Sequence, residues 1–254
     1  MNGYTAFLRK EFCEQLRTFR LLILAAVFLL FGMMSPLTAK LMPKLLESLM
    51  TDGVTIQITE PTALDSWAQF FKNIGQTGVI ILVILYSGTL SHEYSRGTLV
   101  NMLTKGLSRP AVILSKFTAA AVLWTATYLL SFTTTWLYTW YFWRTDTVPH
   151  MLPAVGGLWA FGLFLLAALM LGGSLFRTGY GNLLFTGGIA AVGLFLQIAP
   201  KLQRWNPMTL TSGISLMNGS MEPSVMYTAA AVSGVLTAAM LAAAIARFNR
   251  AAVV

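Results

Sequence analysis

Apolar and polar positions are arranged on two length scales in this chain. On the long scale, six apolar runs lie at about residues 21–41, 74–90, 112–141, 152–176, 183–200 and 224–246, with polar stretches between them. A helix needs about 20 apolar residues to cross about 30 Å of hydrocarbon. The six runs are therefore expected to be membrane spans, and they leave no large soluble domain. On the short scale, Tyr4, Leu8, Phe12, Leu16 and Phe19 recur at helical spacing, with Arg9, Lys10, Glu14, Arg17 and Arg20 around them. This pattern predicts an amphipathic helix over 4–20, lying in the membrane interface before the first span.

Between the second and third runs lies "SHEYSRGTLVNMLTKGLSRPAVILSK", residues 91–116. Leu99, Met102 and Leu103 make one helical stripe there, while Gly97, Asn101, Thr104 and Lys105 face the other way. A short amphipathic helix joined directly to two spans can act as a lever on both. A basic loop that only fixes topology has the same composition, so the pattern alone leaves both readings open.

The loops between the runs carry further signals. Pro36 near the end of the first run is expected to kink or end that helix. "TDGVTIQITE", 51–60, alternates as an extended segment does, and Thr62 with Asp65 has capping-box spacing. Trp67, Phe70 and Phe71 are expected at the interface ahead of the second span. Trp136, Tyr138, Trp140, Tyr141 and Trp143 form an aromatic belt at the end of the third. Glycines and alanines in the fourth to sixth runs permit close helix packing or a dimer face. The stretch 200–223, with breaker pairs Asn206-Pro207 and Asn218-Gly219, can dip back into the leaflet where protein covers it.

Composition agrees with this layout. Of the 254 residues, 56% are hydrophobic and 10% charged, against about 25% charged in soluble domains. A mean hydropathy of +0.68 belongs to an integral membrane protein. The first apolar run is too long for a cleavable signal and follows a charged stretch, so it reads as a retained span. Eleven Lys and Arg fall on the side of the 91–116 loop and six on the other. The excess marks the loop side, and both termini, as cytoplasmic. The net charge of +8 is then a topology signal, and nucleic acid is not an expected partner because the basic residues are dispersed.

Enzyme chemistry is almost absent. The chain has no G-x-x-x-x-G-K-[ST], so no ATP-binding loop of its own. Its histidines, His92 and His150, fall on opposite faces, and His92 beside Glu93 is too little for a metal site. No Ser has a His at its depth, and no acidic residue lies inside a run. Cys13 is the single cysteine, so no internal disulfide forms. A non-enzymatic membrane protein with no bound cofactor or metal is expected. Its spans, lined by Ser, Thr, Gln and aromatic groups, suit an amphipathic or hydrophobic cargo.

The loop "HEYSRGTLVNMLTKGLSRPAVILSK" resembles the cytoplasmic loop of type-2 ABC transporter permeases, the membrane subunits of bacterial ATP-driven exporters. Glu93, Gly97, Thr98, Leu99, Ser108, Arg109 and Lys116 match its pattern. Leu107 stands where that family often has proline, and Pro110 follows Arg109 instead. The N-terminal 34-residue stretch from Phe7 and the "NPMTL" at 206–210 are similar to bacterial members too. The resemblance implies an all-α integral membrane protein, a single permease domain over 1–254. It has six transmembrane helices, an N-terminal interface helix (4–20), a cytoplasmic coupling helix in 91–110 and cytoplasmic termini. It implies a second permease, identical or similar, and two copies of a separate ABC ATPase that binds ATP and Mg. Glu93, Arg96, Gly97, Thr98, Leu99 and Arg109 would then couple to the ATPase, with Arg9, Lys10 and Glu14 adding contacts. The expected place is the bacterial cell membrane. Two other readings compete. One is a membrane sensor or immunity protein that binds a toxic peptide without ATP. The other is an intramembrane hydrolase, which the missing nucleophile–base pair argues against.

Overall fold

The computed structural model describes residues 3–49, 60–91, 93, 108–176 and 178–250. The extended reading of 51–59 lies outside the described residues. So does the stretch 94–107, and with it Arg96, Gly97, Thr98 and Leu99. Among the described residues the fold is all helical, without strands.

Helix α1 (Gly3–Arg17) turns at Thr18–Phe19 into α2 (Arg20–Leu49). Phe19 makes that turn with a positive φ of 55°. Helix α3 (Ala63–Lys72) widens into a π-helical segment, Asn73–Gly78, and continues as α4 (Val79–Ser87). Then follow α5 (Arg109–Phe142), α6 (Met151–Leu175) and α7 (Gly179–Gln197). A broken segment comes next: α8 (Pro200–Gln203), a 3-10 turn (Pro207–Thr211) and α9 (Gly213–Met217). Helix α10 (Pro223–Arg250) closes the bundle.

Six of these helical stretches are long and apolar enough to cross a membrane: Arg20–Pro43, Ala63–Ser87, Arg109–Phe142, Met151–Leu175, Gly179–Gln197 and Pro223–Arg250. Only the second departs far from the apolar pattern. It starts at Ala63 because Asp65 lets the helix begin in a polar stretch. The Asp65 carboxylate accepts from the Thr62 backbone N–H at 2.8 Å and from its hydroxyl at 2.9 Å. The backbone N–H of Ala63 also donates to Asp146 at 3.0 Å. Trp67, Phe70 and Phe71 therefore sit inside a span rather than before it, and all three are buried. Trp67 and Phe70 pack edge to face, and Phe70 meets the Tyr128 ring at 5.9 Å.

Pro36 neither ends nor interrupts α2, which runs on to Leu49. The aromatic belt does form, with Trp136, Trp140 and Tyr141 exposed at the end of α5. We call that end of the bundle the belt end and the other the α1 end.

Helix α6 is the most buried span. Gly162 lets the Trp124 ring lie against it, since a Cβ there would come within 2.2 Å of the indole. The Trp124 indole N–H donates to the Trp159 carbonyl at 2.9 Å. Small residues thus do pack helices closely in α6. In α7, Gly187 and Gly188 face open space instead, and Asn182 and Thr186 are the buried residues of that helix.

The segment 200–217 packs against α6 at the belt end. Leu210 and Gly213 meet Gly157 and Ala154, and Gly213 also abuts the Phe71 ring. Protein covers the part from Asn206 onward, where Asn206, Thr209, Leu210, Gly213, Leu216 and Met217 are buried, while Lys201, Leu202, Arg204 and Trp205 are exposed.

Candidate functional site: a buried ionic cluster at the α1 end

Helix α1 turns an unexpected face to the bundle. Phe7, Glu11 and Gln15, spaced by four, are its buried residues. Leu16 and Phe19 of the apolar stripe are exposed, and Tyr4, Leu8 and Phe12 are half-buried. Only the end of the stripe is left open, because the face of Phe7, Glu11 and Gln15 does the docking.

What Glu11 meets explains this. Lys116 projects from α5 two turns into the helix and is 1% exposed. Its ammonium donates to Glu11 Oε1 at 3.0 Å and to Glu93 Oε1 at 2.9 Å. Lys10 joins from α1, donating to Glu93 Oε1 at 2.6 Å and to Glu11 Oε1 at 3.1 Å. Glu14 pairs with Lys10 at 2.9 Å. The Phe7 ring lies beneath both ammonium groups, 5.0 Å from that of Lys10 and 5.7 Å from that of Lys116. Buried charges persist only when paired and hydrogen-bonded. Here each buried charge has two oppositely charged partners or more.

The periphery is held as well. Tyr86 at the end of α4 donates its hydroxyl to Gln15 at 3.1 Å. Arg20 lies over the Tyr86 ring and donates to Thr89 at 3.4 Å. Tyr4 donates to Thr118 at 3.0 Å. Three segments distant in sequence, α1, the 86–93 corner and the start of α5, are tied into one block.

The electrostatics of the rim follow from these contacts. For Lys10, burial opposes the charged form. Its hydrogen bond to Glu93, the nearby Glu11 and Glu93 charges and the bond to Glu14 outweigh that and raise its pKa. For Glu14, burial works upward, but the Lys10 hydrogen bond and the charges of Lys10, Lys116 and Arg20 bring the pKa below its ordinary value.

Glu11, Glu14 and Glu93 bring carboxylate oxygens within 4.8 Å of one another, close enough for a metal ion. Ammonium groups already occupy that space, so a divalent ion would have to displace Lys10 or Lys116. We read the cluster as ionic, not as a metal centre. Cys13 is exposed, and the cluster holds no nucleophile beside a base. It can hold segments together, and it offers no group for bond making.

The residues expected from the sequence divide accordingly. Glu93 is 4% exposed and points into the cluster. Lys10 and Glu14 also join it, while Arg9 is exposed on the other side of α1. Arg109 is half-buried and donates to the carbonyls of Phe248 and Asn249, both at 2.8 Å. A cation on the last carbonyls of a helix complements its dipole. That contact puts the end of α10 beside the start of α5. Glu11 and Gln15 were not singled out by sequence reasoning. Lys116 had a visible signal, a lone charge in the apolar "AVILSKFTAAAVLW". Glu11 had a fainter one, a helical step of four from Phe7.

Comparison with known proteins adds little beyond the class. No family model matches the chain. The chain is similar to the uncharacterized transmembrane protein YxlG of Bacillus subtilis (strain 168), with 21% identity over 212 residues, 82% of this chain and 81% of that protein. Six apolar helices and a transmembrane relative of matching extent make this chain a multi-pass membrane protein.

Proposed function

We propose that the chain is the membrane-spanning permease of an ATP-driven exporter of the type-2 ABC kind. It would move an amphipathic or hydrophobic cargo across the bacterial cell membrane. In this reading the α1 end is cytoplasmic, α1 lies in the interface, and the 91–110 stretch receives force from a separate ATPase. Two ATPase copies carry ATP and Mg, and two permeases pair.

The observation that carries the reading is the Glu11–Lys116–Glu93 cluster. A loop that only sets topology needs basic residues on the right side and nothing more. Here the first turn of the loop is fixed, through a fully buried lysine, to the start of α5 and to the interface helix. A push on the loop is transmitted to two spans and α1 together. In this reading Glu93 serves the coupling through the cluster. It would position the coupling segment, and contact with the ATPase would fall to residues beyond it.

The test is co-purification in detergent with a P-loop ATPase encoded beside this chain. Wild type is compared with a variant whose residues 94–107 are a flexible Gly-Ser linker, Glu93 and Arg109 being kept. The ATPase is expected to come down with wild type and to be lost with the variant. If it binds neither form, the coupling role is wrong, and a sensor or immunity protein acting without ATP is the better reading.

A further inference from the structure

The second span presents two different surfaces along its length. In α4, the outward face is apolar, with Ile80 and Ile84 more than half exposed. Higher up, the corresponding face carries Gln69, Lys72, Gln76 and Thr77. Gln69 is half-buried and the other three are exposed. Steps of three and four place Gln69, Lys72 and Gln76 in one row, with Thr77 next to Gln76. Among the described residues, none of these side chains makes a hydrogen bond or an ion pair. The acid nearest in the row, Asp65, is engaged by Thr62.

Their depth makes this surface unusual. Ser66 hydrogen-bonds Thr139, inside the aromatic belt, at 2.6 Å. At 1.5 Å per residue, Lys72 lies about 9 Å and Gln76 about 15 Å below Ser66 along the axis. The second figure is about half the thickness of the hydrocarbon core. Lys72, the shallower of the two, is within snorkelling reach of the belt, but a polar group as deep as Gln76 rarely faces lipid and marks a water-filled cavity or a ligand path. Gln76 and Thr77 also fall in the π-helical segment, a distortion that recurs at functional sites. Asn73 anchors that segment by donating to Ser35 at 3.1 Å.

Helical side chains lean toward the N-terminus, so Lys72 and its neighbours lean toward the belt end. An ammonium flanked by two amides, with no free acid beside it among the described residues, complements phosphate oxygens. We propose that this face lines a crevice open to water at the belt end and binds the phosphate headgroup of an anionic lipid. Lys72 supplies the charge, and Gln69 and Gln76 supply neutral donors. The proposal does not depend on an ATPase.

The test uses the full chain in phosphatidylcholine nanodiscs, with Cys13→Ser as background. Gln76→Cys and Ile84→Cys are each reacted with a neutral, water-soluble maleimide. Thiols need water to ionise and react, so the thiol at 76 is expected to react about tenfold faster than that at 84. Including phosphatidylglycerol should slow the reaction at 76 about fivefold, the factor one lysine contributes toward anionic lipid. Lys72→Gln should abolish that protection, and Lys72→Arg should retain it. Equal rates at 76 and 84 would overturn the crevice. A disulfide between two copies through position 76 would overturn it too, assigning the face to a contact between chains. Protection that survives Lys72→Gln would overturn the lysine's role.

Discussion

The two ends of the bundle bury polar groups in opposite ways. At the α1 end, charged residues meet across long sequence separations, as Glu11 does with Lys116. At the belt end, the hub is neutral and local. Asn206, 2% exposed, donates to the Gly193 carbonyl at 2.8 Å and to Gln197 at 2.9 Å, and accepts from the Met208 N–H at 3.1 Å. Thr209 donates to the Gln203 carbonyl at 2.6 Å, and Gln197 donates to Ser212 at 3.2 Å. The neutral hub folds one segment onto its own neighbours. The charged cluster joins three segments that the chain itself does not keep together. The first is a plug, the second a joint.

This contrast can be broken most forcefully at Lys116. Lys116→Leu leaves Glu11 and Glu93 facing each other without their buried cation. Removing one partner of a buried ionic group costs about 3–5 kcal/mol. Thermal unfolding in detergent should show that loss, together with faster proteolysis at the α1–α2 turn. If stability is unchanged, the cluster is not a joint.

The matching break at the belt end should be smaller and more confined. Asn206→Leu removes the side-chain donor to the Gly193 carbonyl and one of two donors to the Gln197 side-chain oxygen, Thr209 remaining at 3.3 Å, at a cost of about 1–3 kcal/mol. Hydrogen exchange should rise in 193–217 and stay unchanged in α1. Exchange that rises equally in α1 would mean the two ends are not separate units.

The same contrast explains what could be read from the sequence. Six apolar runs gave the spans because hydrophobic length is a one-dimensional property. The Asn206-Pro207 breaker signalled a local turn, and Asn206 indeed accepts from the N–H two residues on. The helix of the second apolar run begins at Ala63, ahead of the run at 74. Lys72 and Gln76 lowered the hydropathy of its upper half, although Trp67, Phe70 and Phe71 were its buried face. Glu93 was read as a coupling residue from its place in the loop. Two partners of its carboxylate, Lys10 and Lys116, sit 83 and 23 residues away, and only packing brings them together. The polar docking face of α1 was hidden for the same reason. A helical stripe says which residues share a side, and it does not say whether lipid or protein covers that side.

Smaller effects sharpen the picture. Arg109→Gln removes a charge from the last carbonyls of α10, worth about 0.3–1 kcal/mol. Hydrogen exchange near Phe248 should increase, with α1 unaffected.

The rim of the cluster should respond to pH with a definite sign. The stabilisation from Glu14 is present above its unfolded pKa of about 4.3 and is lost as pH falls through its lower folded value. That from Lys10 is present below its unfolded pKa of about 10.4 and is lost as pH rises through its higher folded value. Docking of α1 is therefore flat across neutral pH and weakens in acid. Glu14→Gln should remove part of the acid step and, as a half-exposed pair, cost under about 1 kcal/mol at neutral pH. Melting temperature against pH for the two proteins checks this.

The most direct test of the joint is a double-mutant cycle on Glu11→Gln and Glu93→Gln, read by reversible unfolding in detergent at neutral pH. Both carboxylates share Lys116 and Lys10, so the two changes should be non-additive, with a coupling between about 0.5 and 3 kcal/mol. Additivity within about 0.3–0.5 kcal/mol would mean that Glu11 and Glu93 act independently, and that no joint links α1 to the end of the second span.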